Sequence, residues 1–228
     1  MNDIIHITGL ASFIIQVITT IIDTVALSIP IQPKLNNIKA LLWVEYIVNL
    51  IEGTFYFWMI TNFNNIKNIT IYRYYDWVIT TPTMLFTYSM YLLIIEKIEK
   101  NKEHTLLEVV NNEKYTLLVI ILLNWLMLFF GYMGELGKLS VKLSTFLGFI
   151  PFIIMFYIIY ENYAKYTSIG IITFIYFVSA WALYGIAALM NYEIKNIMYN
   201  ILDLFAKNFF ALFLAYILIF KYAYPNTP

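Results

Sequence analysis

The stretch Asn196–Tyr222, NIMYNILDLFAKNFFALFLAYILIFKY, decides how the rest of the chain is read. About 20 apolar residues suffice to cross a bilayer, and this run is longer. Near its middle stands Lys207, with Ile201, Leu202, Leu204 and Phe205 before it and Phe209, Phe210, Leu212 and Phe213 after it. A lysine at the centre of a membrane helix costs roughly 2.5–3.5 kcal/mol on insertion scales, so such a residue is read as functional and partnered. Asp203 lies four residues earlier, on the same helical face. The pattern predicts a buried amine whose charge, or covalent chemistry, is the business of the protein.

Composition agrees with that setting. Of 228 residues, 61% are hydrophobic, 19% aromatic and only 12% charged, where soluble domains average about 25% charge. The formal net charge is zero, which argues against a nucleic-acid partner. With no cysteine there is no disulfide, thiolate nucleophile or thiolate metal site. His6 and His104 both fall near predicted span ends, so no metal site is expected. The N-terminal stretch lacks a basic region and an obvious cleavage site, so the first span is expected to be retained.

Seven apolar segments follow from hydropathy: about Ile5 to Ile29, Ile38 to Thr61, Ile71 to Ile95, Tyr115 to Leu136, Leu143 to Tyr160, Ile169 to Met190, and Asn196 to Tyr222. A loop carrying Glu96, Lys97, Glu99, Lys100, Lys102, Glu103 and His104 is expected between the third and fourth. Lys34, Lys39, Lys97, Lys100, Lys102, Lys114, Lys165 and Lys221 fall on one side of such a bundle; Lys67, Lys138, Lys142 and Lys195 fall on the other. The positive-inside rule then puts the N-terminus outside and the C-terminus in the cytoplasm. The expected fold is an all-α membrane protein, a single seven-helix domain over residues 1–228.

The third segment reads Arg73-Tyr74-Tyr75-Asp76-Trp77-Val78-Ile79-Thr80-Thr81-Pro82. Arg73 and Asp76, three apart, share a face. Together with Asp203 and Lys207 they make two carboxylates and an arginine around one amine, a set in which each buried charge has an opposite. That string, the Asp203-X-X-X-Lys207 of the seventh segment and Trp181-X-X-Tyr184 of the sixth resemble the microbial (type 1) rhodopsins over essentially the whole chain. Phe130-Gly131-Tyr132-Met133-Gly134-Glu135 is similar to a stretch of the proteorhodopsins.

The resemblance implies a photoreceptor rather than an enzyme. It implies all-trans retinal on Lys207 as a Schiff base, Asp76 as primary counterion and proton acceptor, Asp203 as second counterion and Arg73 as gate. Matching positions make Tyr74, Trp77, Thr80, Thr81, Met84, Trp181 and Tyr184 candidate pocket residues. Gly185 stands where family members often have proline, which bears on the local helix kink.

Function within that family divides on other residues. The position eleven beyond Asp76, where the family's proton pumps usually place a carboxylic acid, holds Thr87, and a hydroxyl is a poorer proton relay than a tuned acid. The second segment instead carries Glu45, Asn49 and Glu52 on one face; the first carries Ser12, Gln16, Thr19 and Asp23; the seventh carries Asn196, Asn200, Asp203 and Lys207. Acids within a membrane are costly unless they meet water or partners, and three facing stripes of this kind match the lining of a cation path. Glu45 and Glu52 also resemble the viral rhodopsins that act as light-gated cation channels. Asp23, Glu45, Asn49, Glu52 and Asn200 are the expected path residues. A light-driven outward proton pump and a photosensor are the alternatives, and a static hydrogen-bond network between helices is the plain structural reading. The expected partners are retinal, the lipid bilayer and transported cations or protons, in a plasma or other cellular membrane, including that of a virus-infected host; a homo-oligomer is compatible with this reading.

Overall fold

A computed structural model describes residues 2–100, 102 and 105–221. The fold is built from α1 (Asn2–Ser28), α2 (Asn36–Thr61), α3 (Ile69–Glu99), α4 (Leu106–Glu135), α5 (Val141–Asn162) and α6 (Ser168–Ala188). The seventh span consists of α7 (Tyr192–Asp203) and α8 (Phe209–Tyr216), joined by a π-helical turn at Leu204–Asn208, and a second such turn follows at Ile217–Lys221. Successive helices pack side by side, and α7 and α8 close the ring against α1. Six of these spans are long and apolar enough to cross a membrane by length and composition. The remaining one, α2, is the helix interrupted by Glu45, Asn49 and Glu52.

Local chemistry sets the helix ends. Asn68, Thr105, Ser140, Thr167 and Asn191 each accept a hydrogen bond from a backbone N–H in the first turn of the helix that follows. The chain leaves α4 through Gly137 at φ 68°, a left-handed conformation that glycine adopts without penalty. The α3 helix is the most enclosed, with every residue from Thr87 to Ile95 buried. Its Pro82 is accommodated within the helix.

Three expectations need correcting. Hydropathy marks where a helix is immersed, not where it stops, so α3 runs on to Glu99 and takes Glu96, Lys97 and Glu99 out of the expected loop. For the same reason α4 begins at Leu106, well before Tyr115. Lys195, expected at a span end facing water, lies inside α7 and is 7% exposed, because Glu135 of α4 receives its ammonium at 2.6 Å. Glu103, His104 and Tyr222 lie outside the described residues.

Candidate functional site: a buried amine among three carboxylates

Lys207 is 1% exposed and projects from the π-helical turn of the seventh span. Such turns widen the helix locally and recur at functional sites. The Phe205 carbonyl of this turn accepts a hydrogen bond from the Tyr176 hydroxyl of α6 at 2.5 Å. The Lys207 amine donates to Asp76 Oδ2 at 2.7 Å, with Glu52 Oε1 at 3.1 Å and Asp203 Oδ1 at 3.7 Å.

Asp203 is held from both sides. Its Oδ2 accepts from Tyr56 at 2.7 Å and its Oδ1 from Tyr184 at 2.8 Å. Arg73, wholly buried, lies 3.4 Å from the same carboxylate and also donates to Tyr56, Asn196 and Asn200. Asp76, Asp203, Glu52, Lys207 and Arg73 thus form one cluster with one carboxylate more than it has cations. An unbalanced buried charge is expensive, so the set can hold a proton in place of a third cation.

One residue gains a neighbour that its spacing did not suggest. Glu52, expected in an ion path, stands against the amine, because Lys207 reaches α2 as well as α3. Side-chain spacing along single helices could not reveal that convergence. Asn200, expected in the ion path, is fastened to Arg73 and to α1: its side-chain amide donates to the Ile5 carbonyl and to Thr8, and its backbone carbonyl accepts from Ser12.

Of the other expected path residues, Asn49 and Asp23 meet, and Glu45 meets α3. Asn49 donates to Asp23 at 2.9 Å, and Glu45 accepts from the Thr87 hydroxyl. Gln16, Thr19, Asp23, Glu45, Asn49 and Glu52 are all at most 1% exposed. Thr87 therefore has a carboxylic acid as its neighbour, supplied by a different helix, which no reading of α3 alone could show.

Beside Lys207 lies a cavity walled mainly by apolar and aromatic side chains, the usual character of a small-molecule site. Of the candidate pocket residues, Tyr74, Trp77, Thr81, Met84, Trp181 and Tyr184 line it. Thr80 does not: its hydroxyl is turned back to the Asp76 carbonyl at 3.0 Å. The sequence reading missed the wall from α4 and α5, including Met127, Leu128, Gly131, Phe149 and Phe152. Gly131 was the available signal, since a Cβ there would lie 2.5 Å from the Tyr74 hydroxyl. Gly185 is explained in the same way. A Cβ on it would lie 2.5 Å from the Phe149 ring, so its absence lets that ring close the cavity against an unbroken α6.

A family model described as bacteriorhodopsin-like protein matches residues 8–220. The chain belongs to that family. It is a multi-pass integral membrane protein and a light-driven retinal protein, in a family whose members carry retinal as a Schiff base on a lysine. Among solved structures, the viral rhodopsin OLPVRII is 25% identical with a TM-score of 0.81, covering 93% of this chain and 96% of its own. A blue light-absorbing proteorhodopsin from Med12 is 21% identical, with a TM-score of 0.72 and coverages of 95% and 97%. Xanthorhodopsin, a light-driven ion pump with dual chromophore, is 18% identical, with a TM-score of 0.73 and coverages of 96% and 94%. The last two likenesses speak to the fold. No curated protein matches this rhodopsin in sequence. Its cavity fits a retinal: apolar and aromatic side chains form the walls, and Lys207 reaches it from one side.

Proposed function

We propose that this rhodopsin is a light-gated cation channel with all-trans retinal on Lys207, built as one seven-helix domain with its N-terminus outside. The observation that supports the channel most is the line of buried acids and amides on α1 and α2 that runs from Glu52 at the amine through Asn49 and Asp23 towards Glu45. Acidic and amide side chains at these depths are the groups that replace water around a permeating cation. Retinal bound at Lys207 would turn absorbed light into a change of shape at the amine. Asp76, Glu52 and Asp203 balance that amine, and Asp76, the nearest, is placed to accept its proton. Arg73 ties Asp203 to Asn196 and Asn200, so it gates the outer end of the site. Light-induced movement of the amine disturbs Glu52 directly, and Glu52 belongs to the same helix as Asn49 and Glu45.

A second reading is an outward proton pump. The contact between Glu45 and Thr87 favours it, since it puts a carboxylic acid beside the position where the family's pumps usually carry their donor. Photocurrent under voltage clamp separates the two. A channel current reverses near the equilibrium potential of the permeant cation and follows it when that cation's gradient is changed. A current of constant sign across voltage and cation gradient would leave the pump.

A further inference from the structure

A shallow cleft opens between α1 and α2 on the outer face of the bundle, away from the Lys207 cavity. Its mouth is apolar and exposed: Val17, Ile21, Leu50 and Phe57. Its floor is not apolar. Gln16 and Asn49, each 1% exposed, line it near the midpoints of their helices. Among the described residues neither the Gln16 amide nitrogen nor its oxygen has a hydrogen-bond partner, and the Asn49 Oδ1 has none. Buried amides of this kind are costly to leave unpaired.

The other polar groups of the cleft are already committed. Thr20 donates to the Gln16 carbonyl and Thr54 to the Leu50 carbonyl, each at 2.8 Å within its own helix. Gly53 keeps the floor open. A Cβ there would come 3.5 Å from Gln16 Oε1, ordinary contact, but any longer side chain would cover the amide.

We infer that this cleft binds a neutral long-chain alcohol dissolved in the membrane, its hydroxyl on Gln16 and Asn49 and its hydrocarbon chain along Val17, Leu50 and Phe57. The chemistry follows from the two surfaces. The mouth faces lipid, so the occupant arrives from the bilayer and has an apolar body. The floor offers the Gln16 amide N–H groups as donors and two amide oxygens as acceptors, so a hydroxyl, itself donor and acceptor, can bond to both kinds. At this depth a free hydroxyl finds no water and no lipid headgroup, so the two amides are its best partners. The bound head would lie one hydrogen bond from Asp23, through Asn49. Asn49 also belongs to the proposed ion path, so an alcohol bound here sits at the wall of that path.

The test uses the retinal-loaded full chain in lipid nanodiscs and a medium-chain alcohol carrying a diazirine in its tail, with labelled residues mapped by mass spectrometry. Labelling is expected to concentrate on Val17, Leu50 and Phe57 and to be displaced by the unlabelled alcohol. The methyl ether of the same probe keeps the shape and loses the donor, so its labelling there should fall about fivefold, the worth of one neutral hydrogen bond. Gln16→Leu should weaken labelling by at least that factor, and Leu50→Trp, at an exposed position of the mouth, should block it without disturbing the core. The visible band reports that each variant is folded. Labelling spread evenly over lipid-facing residues of all helices, or equal for alcohol and ether, would overturn the inference. So would labelling in the cleft that persists unchanged in Gln16→Leu and Leu50→Trp.

Discussion

Lys207 and Lys195 are both buried lysines of the seventh span, and their partners separate their roles. Lys195 pairs with Glu135 and is not part of the cavity wall, whereas Lys207 lines that cavity and meets three carboxylates. Lys207→Ala is therefore expected to yield a folded protein with no visible band after retinal is added, as checked by absorption spectroscopy and thermal melting; a band that survives would move the linkage elsewhere. Colour also reports the carboxylates. A charge about 3 Å from a cation interacts by about 5 kcal/mol at an effective dielectric near 20, and it stabilises the ground state, where the positive charge lies nearest, more than an excited state in which that charge moves away. Asp76→Asn should shift the band to the red, and Glu52→Gln should do so by less, in the order of their 2.7 and 3.1 Å distances. An unmoved band in Glu52→Gln would return that residue to the ion path alone.

At the scale of the element, the π-helical turn at Leu204–Asn208 aims the lysine, and its Phe205 carbonyl is held by the Tyr176 hydroxyl of α6. That bond joins α6 to the backbone two residues before Lys207, so movement of the amine strains it. Tyr176→Phe removes one hydrogen bond, worth about 1 kcal/mol, and leaves the ring in place. The dark absorption band should stay where it is, while the rate of thermal return after a flash changes by about fivefold; flash photolysis measures both. Identical kinetics would show that the bond survives the whole cycle. Hydropathy outlined the seventh span but could not foresee this turn, because mean apolar character is the same for an α and a π turn.

For the molecule as a whole, the ring of helices turns two acids of α2 towards different neighbours. Glu52 faces the amine, and Glu45, two turns away, faces Thr87. Glu45→Gln is accordingly expected to change conductance or cation selectivity under voltage clamp and to leave the absorption band within a few nanometres of its place, since Glu45 makes no ion pair with Lys207 among the described residues. Equal currents in the variant and the native protein would count against a path through α1 and α2. By itself the sequence determined the seven spans, the buried position of Lys207, its grouping with Asp76, Asp203 and Arg73, and part of the aromatic cavity wall. Those features rest on hydropathy, on spacing within single helices and on one contiguous motif, all of which are local along the chain. Only the tertiary structure decided that Glu52 belongs to the amine, that Glu45 meets Thr87, that Lys195 is paired with Glu135, and that Gly131 and Gly185 make room for Tyr74 and Phe149. Each of those contacts joins side chains from different helices, and helical periodicity shows which face a residue occupies but not what stands opposite it.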